Sequence, residues 1–593
     1  MEEKWYSARP SNIVDLFEDT IKKFGKRNWI GTQNAEGKYE WTTYNEAAKR
    51  VNNLRGGLAK IGVGKDDPVG VIINNSLEWA IIAFATFGLN ARLIPMYEKE
   101  LEKVWKYIIE DSAVKVLFVV NEEVNDKVKD LKDKLNTLED IYIIRGEGDK
   151  TMEALEKLGA ENPIASVKPH WNDIAVLIYT SGTTGEPKGV LLSHGNFTSN
   201  VKASHLGFPD VTEKDVSFAI LPWAHSFGIT AELFHGILAG ASLGLMKTTD
   251  TLTEDLPKVK PTILIAVPRI FNKVYAGIHA KLAAEGKSDL LELAKSTAAK
   301  IRNGEKVGKK DKLISGVVFK KIRALFGGKV RYAITGSAVM NPDIGQFFID
   351  VGIPTFDCYG LTETSPALTM NTPASSKLGT VGSAIKDCVV KIDKSRVGED
   401  SDDGEITCFG PNIMQGYHNK PQQTADVIFE DPELGRGFRT GDRGRLDEDG
   451  FLSITGRFKE EYKLENGKYV HPASIEEELK LNNFIANVMV YGAGKIHNVG
   501  VIFPEELAVA AAAEKMGISG DFKALVANKG IQDFISAEAT KQLEGKFGGY
   551  EIPKSYIFTD EDFTLENQML TQTMKLKRRN VLDKFGDALN ALY

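Results

Sequence analysis

The segment "YTSGTTGEPKGV", residues 179–190, combines glycines, hydroxyl side chains and one lysine directly after the apolar run "IAVLI". Glycines let backbone N–H groups approach an anion closely, Ser and Thr hydroxyls add donors, and Lys188 adds a mobile positive charge. Such a loop after a buried strand is typical of a phosphate site, although surface turns share this composition. It is not the Walker pattern, because Gly185 is followed by Glu-Pro-Lys-Gly.

Two clusters downstream offer surfaces for a planar ring and for a metal ion. "VRYAITGSAVM" at 330–340 predicts a strand that ends in small residues, against which something flat could pack. "FDCYGLTETSP" at 356–366 presents the aromatic face of Tyr359 and the carboxylate of Glu363. A lone carboxylate beside a phosphate loop makes chemical sense when it holds Mg²⁺ together with phosphate oxygens. Taken singly, Tyr359 could instead be a core tyrosine and Glu363 a surface acid.

The last two clusters are "GFRTGDRGRLDEDG" at 437–450 and "ITGRFKEEYKLENGKYVHPASIE" at 454–476. Asp442, in the first, could accept hydrogen bonds from a ribose diol, or it could be an ordinary turn residue. The second continues a predicted hairpin into a charged stretch, which we interpret as a hinge.

The whole chain has the composition of an ordinary folded protein with more than one domain. Its 593 residues are too many for a single core, and 42% apolar with 26% charged residues is an average balance. The net charge of −7 argues against nucleic-acid binding. Three cysteines cannot form a disulfide framework, and no Cys/His cluster suggests a metal, so a reducing, cytoplasmic setting is expected. The N-terminal stretch has no apolar signal core.

Helical and strand patterns alternate to about residue 450, which predicts an α/β architecture. Thr43 and Glu46 form the capping-box pattern at the start of one helix. Proline, histidine and glutamate interrupt the apolar stretch at 217–246, so we expect a buried strand, a loop and a buried helix there rather than a membrane span.

The five clusters, in this order and spacing, closely resemble the AMP-forming acyl-CoA synthetases of the adenylate-forming superfamily. "YTSGTTGEPKGV", "YGLTET" and "RTGD" together carry the resemblance, which extends to "TQTMKLKRRN" at 571–580. It implies a large, multi-subdomain N-terminal domain, residues 1–456, and a small mobile α+β C-terminal domain, residues 457–593, with a hinge near Lys459. It also implies ATP, Mg²⁺ and coenzyme A as cofactors.

The resemblance assigns phosphate, adenine, metal-binding and catalytic roles to particular residues. The ATP phosphates would be bound by Thr180, Ser181, Gly182, Thr183, Thr184 and Lys188. The adenine pocket would consist of Tyr359, Gly360, Gly336, Ser337 and Ala338. Thr362 would contact the α-phosphate, and Glu363 with Thr180 would hold Mg²⁺. The catalytic set would be Lys575, Thr180, Glu363 and His225.

Around and beyond the predicted domain boundary the resemblance concerns the ribose, the hinge and one lysine. Asp442 and Arg457 would bind the ribose hydroxyls, and the segment around Gly467 would approach the active site after a domain rotation. The family's catalytic lysine matches Lys575. The long-chain branch usually has proline where this chain has Gln572, which leaves Lys577 as a competing candidate.

The implied reaction is ATP-dependent activation of a long- or medium-chain fatty acid to acyl-AMP, then transfer to coenzyme A. "VPRIFNKVY" at 267–275 resembles the long-chain branch, although Asn272 and Gly228 stand where that branch has acids. The alternative is an acyl-carrier-protein synthetase or an aryl or medium-chain acid ligase, because "HSFG" also occurs in carrier-protein synthetases.

Three residues are expected at the acyl pocket. Acetate-using relatives have a tryptophan at the position of Gly360, so glycine there is expected to leave the pocket open. Trp223 and His225 would form a wall or gate of the pocket, or would have a purely structural role.

A basic segment, residues 300–331, carries eleven Lys and Arg residues and two acids, a local charge of about +9. It could be a solvated helical face, a contact with anionic membrane, or a surface that attracts the phosphates of coenzyme A. We therefore expect a cytoplasmic enzyme with weak contact to the inner face of the membrane. The sequence does not distinguish a monomer from a homodimer.

Overall fold

The computed structural model describes residues 11–180, 186–248, 251–398, 400–571 and 574–593. Four predicted phosphate contacts, Ser181, Gly182, Thr183 and Thr184, lie outside the described residues, as does Gln572. The chain divides into a larger unit, Met1–Lys391 with Thr407–Thr440 and Leu446–Ser453, and a smaller unit, Ile392–Ile406 with Gly441–Arg445 and Ile454–Tyr593. The predicted boundary between residues 456 and 457 stays a prediction.

The elements up to residue 207 alternate between helix and strand. In chain order they are α1 (Ile13–Phe24), β1 (Asn28–Gln33), β2 (Tyr39–Thr43), α2 (Tyr44–Lys60), β3 (Pro68–Ile72), α3 (Leu77–Phe87), β4 (Arg92–Met96), α4 (Glu102–Asp111), β5 (Val116–Val119), α5 (Glu122–Val128), α6 (Leu131–Lys134), β6 (Asp140–Ile143), α7 (Met152–Glu161), β7 (Ile174–Thr180), β8 (Lys188–Ser193) and α8 (His194–Gly207).

The next part continues the alternation and adds a π-helix at Gly228–Phe234 and a 3-10 turn at Thr362–Thr364. Its other elements are β9 (Val216–Ala219), α9 (His235–Ala239), β10 (Ser242–Leu245), α10 (Leu252–Val259), β11 (Ile263–Ala266), α11 (Pro268–Ala284), α12 (Ser288–Arg302), α13 (Lys309–Leu325), β12 (Tyr332–Thr335), α14 (Pro342–Val351), β13 (Thr355–Gly360), β14 (Ala367–Met370) and β15 (Ser383–Ala384).

The remaining elements run to the end of the chain. They are β16 (Val389–Asp393), β17 (Gly404–Phe409), β18 (Gly416–Tyr417), α15 (Pro421–Val427), β19 (Ile428–Asp431), β20 (Gly435–Leu446), β21 (Leu452–Arg457), β22 (Tyr462–Lys463), β23 (Tyr469–Val470), α16 (Pro472–Leu479), β24 (Ile485–Tyr491), β25 (Val499–Pro504), α17 (Glu506–Met516), α18 (Phe522–Ala527), α19 (Lys529–Leu543), β26 (Tyr556–Phe558) and α20 (Arg578–Asn590).

Three sheets of the larger unit position its predicted site residues. The first has the order β18-β8-β7-β4-β3-β5-β6, with β3, β4, β5 and β6 parallel and β8 antiparallel to both of its neighbours. The second has the order β2-β1-β10-β9. The third has the order β11-β12-β13-β14-β15, in which the first three strands are parallel. Short apolar strands buried on both faces suit such parallel pairing.

The smaller unit is built on the sheet β24-β25-β26 and the hairpin β22-β23. Helices α16, α17 and α19 pack their apolar residues with those of β24 and β25 into one buried cluster, and α20 belongs to a second. This unit mixes antiparallel and parallel pairs, as an α+β unit does.

Two local predictions are confirmed. Thr43 and Glu46 form both hydrogen bonds of a capping box at the start of α2. The stretch 217–246 holds β9, a loop, the π-helix, α9 and β10, all largely buried. In the described part of the chain, no helix has the length and apolarity needed to cross a membrane.

Candidate functional site

The phosphate-loop prediction falls on the turn between two antiparallel strands. Thr180 is the last residue of β7, Lys188 is the first of β8, and the two are paired across the ladder. Both ends of the loop are therefore fixed by the same hairpin. The Ser193 side chain then caps α8, so the chain runs strand, loop, strand and helix.

Tyr417 connects two residues that the sequence assigned to phosphate and metal. The Lys188 ammonium lies 5.2 Å from the centroid of the Tyr417 ring, and the Tyr417 hydroxyl donates to Glu363 Oε1 at 2.8 Å. Burial and the nearby Glu363 carboxylate raise the pKa of the Tyr417 phenol well above its usual range, so Tyr417 remains a donor. Sequence reasoning missed Tyr417, because only the pairing of β18 with β8 brings it here.

Thr362 and Glu363 lie on the 3-10 turn that follows β13. The backbone N–H of Met414 donates to the Glu363 carbonyl at 2.8 Å, and the Ser226 and Thr362 hydroxyls are 3.2 Å apart. The turn is thus tied to the loop that carries His225. Sequence reasoning missed Ser226, although a hydroxyl directly beside a candidate histidine was a usable signal.

Gly336 and Tyr359 lie at the carboxyl ends of neighbouring parallel strands, where open α/β sheets bind ligands. A Cβ on Gly336 would lie 2.9 Å from Cys358 Sγ and 3.2 Å from the Phe227 ring, so only glycine fits without a shift. Ser337 has a left-handed backbone with φ of 71°, and it is exposed together with Ala338. The predicted adenine pocket residues are therefore brought together.

Gly360 has a different role from the one that the sequence suggested. A Cβ there would lie 1.7 Å from the Pro366 carbonyl oxygen. The pairing register of β13 and β14 shifts next to Gly360, and the Pro366 main chain lies against Gly360 at this point. The expectation that glycine leaves an open acyl pocket here is wrong. The space beside Gly360 is filled by main chain.

A buried hydrogen-bond network holds the loop with Trp223 and His225. Glu232 accepts from the backbone N–H groups of Ile220 and Leu221, each at 2.9 Å, and from the Trp223 indole at 3.3 Å. Burial raises the pKa of Glu232 to about 8. Trp223 is fully buried, and whether it forms a wall of the acyl pocket or has a purely structural role stays a prediction. His225 is half-buried, and its Nδ1 accepts from the Phe227 N–H at 3.2 Å.

Glu232 was not predicted as a functional residue. The signal was present, because it is the only formal charge in the apolar stretch 217–246. A buried carboxyl group is costly unless it is hydrogen-bonded, and Glu232 accepts hydrogen bonds from two backbone N–H groups that need an acceptor there.

In the smaller unit the two predicted ribose ligands are direct partners. Arg457 Nε lies 2.9 Å from Asp442 Oδ1, and the Asp442 side chain is nearly buried. Arg443, the next residue after Asp442, pairs with Asp403 at 2.5 Å and with Glu461 at 2.6 Å. Sequence reasoning missed Arg443, whose two acidic partners are remote in sequence. These ion pairs fix both ends of the predicted hinge segment.

The predicted hinge and turn residues of the smaller unit lie on its surface. Lys459 is exposed in the turn between β21 and β22. Gly467 has φ of 81° at the tip of the β22–β23 hairpin, a conformation that favours glycine. Among the described residues, no atom would lie within 4 Å of a Cβ at Gly467.

The two candidate lysines differ in their surroundings. Lys575 is exposed in a tight turn, where its N–H donates to Thr571 Oγ1 at 3.0 Å and its carbonyl accepts from the Thr571 N–H at 2.8 Å. Lys577 is half-buried directly before α20. The Arg578 guanidinium then forms a bidentate pair with the buried Glu476, which anchors this end of the helix. The choice between Lys575 and Lys577 as the catalytic lysine stays a prediction.

A divalent metal fits the donors around Glu363. Within the described ranges, no group of three or more His, Cys, Asp or Glu side chains could hold a metal on its own. A carboxylate oriented by a tyrosine is a hard oxygen donor, which suits Mg²⁺ bound mainly by substrate phosphates and water. The site is therefore suited to a metal that arrives with a nucleotide.

Comparison with known proteins finds similarity along almost the whole chain. The family model described as AMP-binding enzyme matches residues 17–418. The chain is 31% identical to the long-chain-fatty-acid–CoA ligase FadD15 of Mycobacterium bovis, over 93% of this chain and 92% of that protein. It is 29% identical to long chain acyl-CoA synthetase 8 of Arabidopsis thaliana, over 99% of this chain and 89% of that protein.

Solved structures share the fold. The anthranilate CoA ligase AuaEII in complex with anthranoyl-AMP matches with a TM-score of 0.75 and 19% identity, covering 99% of this chain and 100% of that chain. The A-PCP didomain of carboxylic acid reductase from Segniliparus rugosus in complex with AMP matches with a TM-score of 0.79 and 20% identity, covering 100% and 83%. The predicted α/β class, with a larger and a smaller unit, is confirmed.

Proposed function

The chain belongs to the family of AMP-binding enzymes, and on that premise we propose that it is an AMP-forming long-chain fatty acid–CoA ligase. The observation that carries this is the similarity to long-chain ligases over nearly the full length of both chains. The enzyme activates a fatty acid with ATP and transfers the acyl group to coenzyme A. The alternative, an acyl-carrier-protein or aryl-acid ligase, is not favoured.

The chemistry explains the residue types. A carboxylate is a poor acyl donor, because its leaving group would be oxide. Attack of the carboxylate on the α-phosphorus of ATP gives a mixed anhydride with AMP and releases pyrophosphate, and the thiol of coenzyme A then displaces AMP. Two anions must meet in the first step, so positive charge is needed where they meet.

In the larger unit the loop 180–188 binds the phosphates, with Lys188 as its charge. Glu363 and Thr180 would hold Mg²⁺, which would neutralise phosphate charge when bound. Glu363 and Lys188 both contact Tyr417, which supports these roles. Tyr359 and the 336–338 segment take the adenine.

In the smaller unit Asp442 and Arg457 bind the ribose hydroxyls. Their ion pair holds the two side chains next to each other, which supports binding of the same ligand by both. Lys575 bridges the substrate carboxylate and the α-phosphate in the first half-reaction. The segment around Gly467 serves the second half-reaction, after the chain turns about the hinge at Lys459.

We also propose that the basic segment contacts anionic membrane. In α13 one face is buried through Ser315, Phe319 and Ile322. The opposite face exposes Leu313 by 70% and Val317 by 49%. Exposed lysines flank these two residues: Lys309, Lys310, Lys312, Lys320 and Lys321. Apolar residues between lysines on a solvent-facing stripe are typical of a helix that lies on a lipid surface.

The proposed activity is tested with a panel of fatty acids of graded length. Pyrophosphate release is measured with ATP and Mg²⁺, in the presence and in the absence of coenzyme A, and the acyl product is identified by mass. We expect long-chain acyl-CoA as product. Release of pyrophosphate only with aryl acids, or transfer only to a carrier protein, would overturn the proposal.

A further inference from the structure

The last residue of helix α4 contacts the strand that leads into the predicted phosphate loop. The Tyr179 hydroxyl donates to Asp111 Oδ2 at 2.6 Å. Tyr179 is buried and directly precedes Thr180, at which the loop begins. Burial and the Asp111 carboxylate raise the pKa of the Tyr179 phenol well above its usual range, so Tyr179 remains a donor. The hydrogen bond therefore anchors the end of β7 to α4.

The main-chain carbonyl of Asp111 contacts a second strand. It accepts from His418 Nε2 at 3.0 Å and from Asn419 Nδ2 at 3.3 Å. The last carbonyls of a helix have no partner within the helix, and these two side chains supply donors at the end of α4. His418 follows Tyr417 of β18, and its backbone N–H donates to the Gly189 carbonyl at 2.8 Å. One residue of α4 thus connects β7 with β18.

Gly189 of β8 lies between these two contacts. It pairs with Tyr179 across the β7–β8 ladder. A Cβ at Gly189 would lie 3.1 Å from Tyr179 Cζ and 3.2 Å from His418 Cβ, so the missing side chain lets its two neighbours approach. Tyr179, Gly189 and His418 therefore form a row across three neighbouring strands, which we call the anchor row.

Each member of the anchor row is the sequence neighbour of a predicted or proposed site residue on the same or adjoining strand end. Successive residues of a strand point to opposite faces of the sheet. The neighbours are Thr180, Lys188 and Tyr417, which share the other face. There Thr180 pairs with Lys188, and the Tyr417 ring faces the Lys188 ammonium. A shift of the anchor row would therefore shift the residues assigned to phosphate and metal.

Tyr107, one turn earlier on α4, adds contacts to both ends of the loop. Its ring lies 6.3 Å from the Tyr179 ring, between centroids, and nearly perpendicular to it. Partial burial and the carboxylates of Asp111 and Glu186 raise the pKa of the Tyr107 phenol. Glu186 belongs to the loop 180–188, close to the end at which β8 begins. The last turn of α4 thus interacts with the chain before and within the loop.

From this geometry we propose that Asp111 is a positioning residue for ATP, which acts through the anchor row on the phosphate loop and on Tyr417. The proposal rests on the proposed acyl-CoA ligase activity. The β- and γ-phosphates of ATP are present only in the first half-reaction. Asp111 therefore serves acid activation, and the transfer from acyl-AMP to coenzyme A does not depend on it.

Asp111→Ala and Tyr179→Phe each remove the hydrogen bond between the two side chains. Pyrophosphate release from acid and ATP is compared with acyl-CoA formation from supplied acyl-AMP, and the Kd of ATP with Mg²⁺ is measured by calorimetry. We expect both variants to lower kcat/KM for ATP about tenfold or more, because a misplacement of about 1 Å can cost about a hundredfold in rate. The Kd of ATP should rise, and the KM of the fatty acid and the thioester step should not change.

Three further variants separate positioning from stability. Asp111→Asn keeps an amide oxygen that can accept from Tyr179, and it should retain most of the activity. Glu110→Ala changes the exposed neighbour of Asp111 on α4. Tyr44→Phe is the matched control for Tyr179→Phe, because it removes a buried phenol that donates to the Ala241 carbonyl at 2.8 Å in another part of the larger unit. Both controls should leave the two half-reactions unchanged.

An equal loss in the two half-reactions, or Asp111→Asn as impaired as Asp111→Ala, would overturn the proposal in favour of a structural role. An unchanged kcat/KM for ATP in Asp111→Ala and Tyr179→Phe would overturn it as well. Should Asp111→Ala fail to fold, Tyr179→Phe decides, since it removes a single oxygen.

Absence of pyrophosphate release by the wild type with every fatty acid would instead reject the proposed ligase activity. The Kd of ATP then still tests the positioning role, because it is measured without acid. A Kd that is the same in wild type, Asp111→Ala and Tyr179→Phe would overturn that role independently. The two failures are therefore distinguishable.

Discussion

The Tyr417 hydroxyl donates to Glu363 Oε1 at 2.8 Å, and the Tyr417 ring faces the Lys188 ammonium at 5.2 Å. One side chain thus sets the geometry of the proposed metal ligand and of the proposed phosphate cation. The hydrogen bond fixes one oxygen of the carboxylate, and the face of the ring attracts the ammonium. Tyr417 acts through these two residues, so its role is to position them.

Tyr417→Phe removes the hydrogen bond to Glu363 but keeps the aromatic ring. We expect it to weaken the binding of Mg²⁺ by Glu363. A hydrogen bond to a charged group contributes about 1.5–3 kcal/mol, so we expect kcat/KM for ATP to fall about tenfold or more. Initial rates of pyrophosphate release are measured across Mg²⁺ concentrations, and the half-saturating Mg²⁺ concentration should rise. Tyr417→Leu, which also removes the ring, should be worse. An unchanged Mg²⁺ response in Tyr417→Phe would contradict the role.

Lys575→Ala should abolish acid activation and spare the thioester step, because the proposed role of Lys575 is confined to the step in which the carboxylate meets ATP. Loss of a group that stabilises transition-state charge costs about 10²–10³ in rate. Pyrophosphate release from acid and ATP is compared with acyl-CoA formation from supplied acyl-AMP. Lys577→Ala is the control and should retain both steps. The assignment fails when both half-reactions decline together, or when only Lys577→Ala shows this pattern.

Gly360→Ala should destabilise the larger unit. Its Cβ would lie 1.7 Å from the Pro366 carbonyl oxygen, and main chain cannot move aside as a flexible side chain can. Overpacking typically costs about 1–3 kcal/mol, and we expect the upper end of that range or more. Thermal unfolding measures the effect. Gly236→Ala is the control, because no described atom outside its own helix would lie within 4 Å of a Cβ there. Equal melting temperatures for both variants would show that the backbone relaxes.

Local sequence patterns predicted the capping box of α2 and the strand before the phosphate loop, and the family resemblance assigned Asp442 and Arg457 to the same ligand. Each of these depends on neighbours in sequence or on a motif whose members lie on adjoining strands. Tyr417 could not be predicted in this way, because β18 has only two residues and carries no periodic pattern. Its role arises from a strand pairing between segments more than two hundred residues apart.

The interpretation of Gly360 failed for a related reason. A glycine can leave space for a ligand, or it can allow another main-chain segment to pass close by. At Gly360 the second case applies, because the Pro366 main chain lies against it at the register shift between β13 and β14. The same sequence pattern is compatible with either outcome. Glu232, by contrast, could have been recognised as a buried acceptor from composition alone.

Glu232→Gln should change how stability depends on pH. Burial raises the folded-state pKa of Glu232 to about 8, above its ordinary value of 4.5, so the folded state binds the proton more tightly than the unfolded state. The neutral Glu232 carboxyl therefore stabilises the wild-type fold. This contribution to the free energy of unfolding is fully present below pH 4.5 and is lost as the pH rises to about 8. Glutamine cannot ionise. We therefore expect the stability of the variant relative to wild type to increase between pH 5 and pH 8.

Denaturant midpoints of the variant and of wild type are measured at pH 5 and at pH 8. The other titrating groups are the same in both proteins, so their contributions cancel in the difference between the two midpoints. Glu110→Gln is the control, because Glu110 is exposed, and its difference from wild type should not depend on pH. A pH-independent difference for Glu232→Gln would show that the buried carboxyl keeps an ordinary pKa.

Replacing Lys309, Lys310, Lys320 and Lys321 by glutamate should abolish binding to anionic membrane. Each basic residue near an anionic bilayer contributes about 1 kcal/mol, and screening confines the effect to about 10 Å at 0.1 M salt. Co-sedimentation with vesicles containing phosphatidylserine is measured at low and high salt. The wild type should bind at low salt only. The control changes Lys60, Lys157, Lys515 and Lys523 to glutamate, which alters net charge equally on other exposed surfaces.

The apolar part of the contact is tested separately with Leu313→Ser and Val317→Ser, both on the exposed face of α13. These changes should weaken binding at low salt although they leave the net charge unchanged, because they remove apolar area that enters the interface. Neutral vesicles should bind none of the proteins. Equal binding by wild type and the α13 lysine variant would reject the membrane contact. A raised KM for coenzyme A with unchanged vesicle binding would assign the lysines to the phosphates of that substrate instead.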